Sequence, residues 1–296
     1  MRRLAILLVA VSLSSCVPAT TPPTVATITT VQETTSTTVA TTTTTTRPPT
    51  TTITTIPPTT TTTLGRPEWL GTQPLPLLPD GTAQVLPTPP ELVDRRLPTP
   101  DLLPPPAGEK FEFTIQPIPD DVLVRSTWRE GCPQDPENLR YLTVSFYGFD
   151  GLAHNGEIIV DAGEAEDVVG VFERMHAERF PIEEMRVISR EELEAPRTGD
   201  GNVTTGFVCR PVVYSTSWSE HAYGRAIDIN PFHNPYRRGE RVVPELASAY
   251  LDRDDVRPGM IADGDVVTRA FADIRWGWGG NWRTADDWMH FSSSGR

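Results

Sequence analysis

The chain has 296 residues, with 39 acidic against 26 basic side chains and a formal net charge of −13. That balance excludes nucleic acid as a partner, since phosphate binding needs a basic face. Only three cysteines occur, and residues 111–296 are long enough for one domain with a substantial core.

In chain order, "MRRLAILLVAVSLSSC" opens with two arginines, an apolar run from Leu4 to Leu13, then small residues and Cys16. This is the plan of a secretory signal, residues 1–16, too short for a transmembrane helix. Leu13-Ser14-Ser15-Cys16 resembles the bacterial lipobox, which predicts lipidation of Cys16 and a membrane held through a lipid anchor. An ordinary cleaved signal with a coincidental cysteine is the alternative. Residues 17–64 are mostly threonine with proline, too poor in apolar surface to fold, and predict a disordered stalk. Residues 65–110 are proline-rich but carry Trp69, Leu70, Leu75, Leu78 and Val85. An extended segment packed along a domain, or a second linker, is expected there.

Residues 111–296 are expected to form one domain. The β-branched and aromatic run 138–149 and the run 156–161 predict two strands joined as a hairpin. Within 164–179, Val168, Val169, Phe172 and Met175 recur at helical spacing, and Pro181 stops the pattern. Short strands are expected at 185–189, 206–213, 225–230 and 288–292, with loop at 192–202. Short helices are expected at 244–251 and 263–274, the latter capped by Asp263. Strands and helices do not alternate as βαβ units. The expected class is therefore α+β, a small central antiparallel sheet with flanking helices. If Cys16 is lipidated, Cys132 and Cys209 remain as a pair in an exported chain and predict a disulfide.

Chemistry concentrates in two stretches, "SEHAYGRAIDINP" at 219–231 and "WGWGGNWRTADDWMHF" at 276–291. On a strand, Ala226, Asp228 and Asn230 share one face while Ile227 and Ile229 take the other. Asp228 then points into a pocket, where a buried carboxylate needs a cation or strong donors. One zinc ion held by His221, Asp228 and His290 satisfies it and leaves a fourth position open, the pattern of a catalytic site. A plain ion pair between Asp228 and Arg225 or Arg237 is the alternative on spacing alone. His176 reads as packing or surface, His233 as rim or loop, and His154 as a turn residue at the hairpin tip. Trp276, Trp278, Trp282 and Trp288 are candidates for a groove or for core packing, with Trp288 the choice for the site wall.

The two stretches together closely resemble the D-alanyl-D-alanine carboxypeptidase / L-alanyl-D-glutamate endopeptidase family of zinc peptidases. Ser219, His221, Gly224, Ala226, Asp228, Asp287 and His290 occupy every fixed position of its signature, S-x-H-x-x-G-x-A-x-D with a later D-x-x-H. "GCP" (131–133), "HNGEIIV" (154–160), "FPIEEM" (180–185) and "FVCR" (207–210) look like its endopeptidase branch. The resemblance implies His221, Asp228 and His290 as zinc ligands and hydrolysis by metal-activated water. It implies Asp287 as general base, Arg210 on the substrate carbonyl or carboxylate, and Ser219 as a substrate contact. By strand geometry Asp286, four before His290, is as good a base; Asp287 requires a bend before Trp288. The expected substrate is a D-amino-acid-containing peptidoglycan peptide, cut either at a terminal D-Ala or within the stem. Nothing calls for a protein partner. A zinc-holding, non-hydrolytic wall-binding module is the alternative of another class.

Overall fold

The structure, a computed structural model, describes residues 65–212 and 215–296. Cys16 and the threonine-rich stretch 17–64 lie outside the described residues. Among the described residues no helix is long and apolar enough to cross a membrane.

The frame is an antiparallel sheet of β1 (Phe113–Gln116), β2 (Leu139–Tyr147) and β3 (Ala153–Asp161), in that order. The β2–β3 register pairs Leu142 with Ile158 and Val144 with Gly156. Between β1 and β2 lies the short helix α1 (Asp120–Arg125). Helix α2 (Ala165–Ala177) follows β3 and lays Val168, Val169, Phe172 and Met175 against Leu142, Val144, Ile158 and Val160. The predicted hairpin and helix are thus present: β2 and α2 are each three residues shorter than the sequence pattern, while β3 starts three residues earlier than the run 156–161.

The rest of the domain is built from short pieces. β4 (Glu184–Met185) and β5 (Val203–Thr204) form a parallel pair around the short helix α3 (Arg190–Glu194). β6 (Ala226–Asp228) begins the site-bearing half, followed by the hairpin β7 (Tyr236–Arg238) and β8 (Arg241–Val243). Then come α4 (Val266–Asp273), β9 (Gly277–Trp278), β10 (Asp286–Asp287) and β11 (His290–Ser292). They assemble as two further antiparallel sheets, β6-β11-β9 and β10-β7-β8. The class is α+β with small antiparallel sheets, as expected.

Several element boundaries differ from the sequence reading, each for a local reason. The predicted strand 185–189 stops at Met185, because the Ser189 side chain accepts from Glu192 N and caps α3, where a loop was expected. Residues 206–213 contain no regular strand among those described. A Cβ on Gly206 would sit 2.5 Å from Ile159 O, and the following N–H groups go to separate carbonyls, Phe207 to Ile159 and Val208 to His221. The predicted helix 244–251 is only a 3₁₀ turn at Ser248–Tyr250. Helix α4 is capped by Asp265, which accepts from Thr268 N, and not by Asp263.

The proline-rich segment contributes to a core of its own. Leu92 and Leu97 are fully buried with Phe232, Leu246, Ala247, Tyr250 and Met260, and Trp69, Leu70, Leu75 and Leu86 pack around them. Arg95 is buried, donating to both carboxylate oxygens of Glu183 at 2.7 Å and to Asp200 O at 2.7 Å. Cys132 and Cys209 form a disulfide.

Candidate metal centre

The site grows from the alternation in β6. Ile227 and Ile229 are fully buried in the main core, which turns Asp228 to the opposite side. Upstream, Ser219 caps a 3₁₀ turn, Glu220–Tyr223, that carries His221. Gly224 ends that turn at φ 70°, in the left-handed region, and a Cβ there would lie 2.6 Å from Asp161 N. Only glycine fits both demands, so Gly224 sets the direction in which His221 and β6 meet. From the far end of the chain, β11 pairs with β6 in a register that sets His290 opposite Asp228.

Each imidazole is held from behind. His221 Nδ1 lies 2.7 Å from Gly206 O, and His290 Nε2 lies 3.0 Å from Arg296 O. Both acceptors are main-chain oxygens, which only accept, so both of these nitrogens carry their proton outward. In the neutral rings the lone pairs then sit on His221 Nε2 and His290 Nδ1. Those atoms face the two oxygens of Asp228 at 3.2 and 3.0 Å. Acceptor facing acceptor at such distances requires a cation or a proton between them. One donor atom from each of the three residues lies within 4.8 Å of the others. Backbone-anchored imidazoles around a carboxylate are a fitting donor set for a divalent metal.

The same demand shows in the proton affinities. Burial pushes the His290 imidazole down, but the Asp228 carboxylate outweighs it and lifts the ring to about 9. Burial likewise pushes Asp228 up, yet the two imidazoles hold it well below the carboxylate range.

Asp287 completes the centre. Its Oδ1 is buried without a hydrogen-bond partner among the described residues. Burial lifts its carboxyl to about 7, with His290 and Arg210 pulling down and Asp228 pushing up. Asp286 is different: it pairs with Arg237 at 2.6 Å on the exposed side of β10. Strand β10 pairs with β7, whereas β11 pairs with β6, so the chain changes sheets across Trp288 and Met289. That change supplies the bend which lets the carboxylate three residues before His290 turn inward. Gly279 makes room for it, since a Cβ there would lie 2.5 Å from Asp287 O.

Arg210 is half-buried and donates to Pro211 O at 3.3 Å; burial pushes its guanidinium down, and the charges of Asp228 and Asp287 act against that. It follows Cys209 of the disulfide, and its carbonyl accepts from Ser219 N at 3.2 Å. Ser219 Oγ accepts from His221 N at 3.4 Å, so its own O–H is left free to donate.

Other expected positions change. Trp288 is buried beneath Arg253 and Arg237, whose guanidinium carbons lie 4.7 and 5.4 Å from its ring centre. Among the described tryptophans, Trp282 packs against the cluster, with its ring 5.5 Å from that of His290. His154 lies inside β3, buried against Asp101 and Asp150, and the turn is formed by residues 148–152. His233 is fully buried, between Asn202 and the carbonyl of Arg95, and is no rim residue. His176 is buried on α2 among Phe111 and Tyr147. The sequence reading missed Asn230, at φ 44°, whose amide joins Glu183 N, Pro181 O and Gly259 O and turns the chain after β6. The signal was there, since asparagine tolerates the left-handed region better than most residues.

Residues 214–293 match the family model described as D-alanyl-D-alanine carboxypeptidase. This stretch of 80 residues is similar to that peptidase family. It contains His221, Asp228, Asp287 and His290, while Arg210 and the first sheet lie before it. Neither a curated protein nor a solved structure matches the chain. The matched segment thus carries the His221–Asp228–His290 cluster, as expected of a domain similar to peptidoglycan-related metallopeptidases.

Proposed function

We propose that the chain is a zinc-dependent peptidase that hydrolyses amide bonds in D-amino-acid-containing stem peptides of peptidoglycan. One observation carries the reading: the His221–Asp228–His290 cluster lies beside a buried, unpartnered carboxylate oxygen of Asp287, within the matched segment. Two imidazoles and one carboxylate suit zinc and leave a coordination position free. Zinc bound there supplies Lewis acidity, acidifying water and polarising a carbonyl.

The remaining steps fall to this chain's own groups. Asp287 Oδ1, which spends no hydrogen bond in the protein, takes the proton of the attacking water and passes it to the leaving nitrogen. The Arg210 guanidinium meets the negative charge that develops on the carbonyl oxygen. Ser219 Oγ–H donates to the substrate. The endopeptidase-like pieces upstream favour a cut within the stem over release of a terminal D-Ala. Export as a lipoprotein through Cys16 fits the Cys132–Cys209 disulfide, which persists in an oxidising compartment.

Zinc-loaded protein, incubated with peptidoglycan fragments with and without chelator, tests this by mass spectrometry of the products. Fragments cut within the stem are expected, and only without chelator. Loss of a terminal alanine alone would assign the carboxypeptidase specificity instead. Wall binding with no cleavage of any stem peptide would end the peptidase reading in favour of a binding module.

A further inference from the structure

A cleft of about 400 Å³ opens between the β7–β8 hairpin and the segment before β11, lined by Arg237, Arg238, Trp282, Arg283, Thr284 and Asp286 among others. Within a chain of net charge −13, three arginines meet at this one opening. Arg237 is neutralised by Asp286 at 2.6 Å. Arg238 and Arg283 are exposed and have no ion-pair or hydrogen-bonded side-chain partner among the described residues. Gly239, at φ 58°, forms the tight hairpin turn directly after Arg238. The cleft is also next to the chemistry. Trp282 forms part of its wall, and the same indole ring lies 5.5 Å from the His290 ring. Asp286 at its edge is followed at once by Asp287.

We propose that this cleft is an anion subsite in which Arg238 and Arg283 take a carboxylate of the substrate peptide. The inference rests on the peptidase reading and adds to it the kind of peptide selected. Guanidinium groups recognise carboxylates through paired N–H donors, more selectively than a point charge does. A peptide advances about 3.3–3.6 Å per residue when extended. A group one indole away from the metal cluster therefore belongs to a residue one or two positions from the scissile bond. The selected substrate is a stem peptide carrying a free carboxylate there, not its amide.

The test compares two synthetic stem peptides that differ only in whether that carboxylate is free or amidated. For the zinc-loaded protein, kcat/KM is expected to favour the free acid about tenfold, mostly through KM. In the Arg238→Gln/Arg283→Gln double variant this ratio is expected to fall to about one. A second arm is independent of hydrolysis: calorimetric titration of both peptides into metal-free protein, in low and high salt. Tighter binding of the acid, lost in the double variant and in high salt, supports the subsite even if no peptide is ever cut. In that outcome only the peptidase reading fails. Equal binding of acid and amide by the wild-type protein, or an acid preference that survives the double substitution, overturns the subsite whatever the hydrolysis assay gives.

Discussion

Two adjacent aspartates receive opposite environments. Asp286 faces solvent and Arg237, while Asp287 holds an unpartnered buried oxygen near Asp228, His290 and Arg210. A carboxylate already saturated by a guanidinium is a poor proton acceptor; one with a free lone pair and raised proton affinity is a good one. Asp287→Asn is therefore expected to lower kcat by about 10²–10⁴-fold, with zinc content by metal analysis unchanged. Asp286→Asn is expected to stay within a few-fold of the wild type. The reverse pattern would move the base to Asp286. Gly224 makes a separate residue-scale prediction. Its φ of 70° and the 2.6 Å approach of a Cβ to Asp161 N penalise any side chain. Gly224→Ala is expected to cost about 3 kcal/mol, from left-handed strain and overpacking together. Chemical denaturation measures this, and zinc affinity should fall in parallel, because the turn aims His221.

At the scale of elements, the parts legible in the sequence are those stabilised by their own pattern. Helix α2 announces itself through Val168, Val169, Phe172 and Met175, all of which are buried. The hairpin β2–β3 and the alternation of β6 are equally plain, because one face of each meets the core. The candidate metal ligands are legible from the wording around them, and the meeting of Asp228 with His290 is made by the β6–β11 register, which no local pattern encodes. Residues 206–213 look like a strand by composition, yet among the described ones only Pro211 makes a ladder contact, an isolated bridge to Trp218, and the backbone bonds go to several separate segments. The Cys132–Cys209 bond ties down the residue next to Arg210, the group proposed above to meet the substrate, across a sequence separation of 77. Chain-entropy reasoning gives such a cross-link up to about 4–5 kcal/mol. Reduction by dithiothreitol is expected to lower the denaturation midpoint accordingly and to reduce kcat beforehand, in native buffer. If activity and midpoint are both unchanged in the reduced protein, the disulfide has no share in positioning Arg210.

For the whole molecule, the decisive feature is the segment before residue 110, whose composition also fits a linker. Its apolar residues bury a second core, and its Arg95 enters the protein to meet Glu183. Burial alone pushes the Glu183 carboxyl up, but the Arg95 guanidinium outweighs it and holds the group below its ordinary 4.5. Glu157 behaves alike: burial is overcome by Arg125 and by the Tyr141 hydroxyl, which donates at 2.7 Å. Both groups thus release their protons more readily when folded than when unfolded. Their contribution to stability is complete above about pH 4.5–5 and is lost as pH falls through the lower folded values. Removing one partner leaves a buried charge uncompensated, at a cost of about 3–5 kcal/mol. Arg95→Ala is accordingly expected to unfold the protein at markedly lower denaturant than the wild type at pH 7. The deficit should narrow in acid, where Glu183 is protonated in the unfolded chain and its charge no longer stabilises the wild type. Glu183→Gln should flatten the acid limb of the stability curve. An Arg95→Ala protein as stable as the wild type at pH 7 would return the segment to the role of a linker.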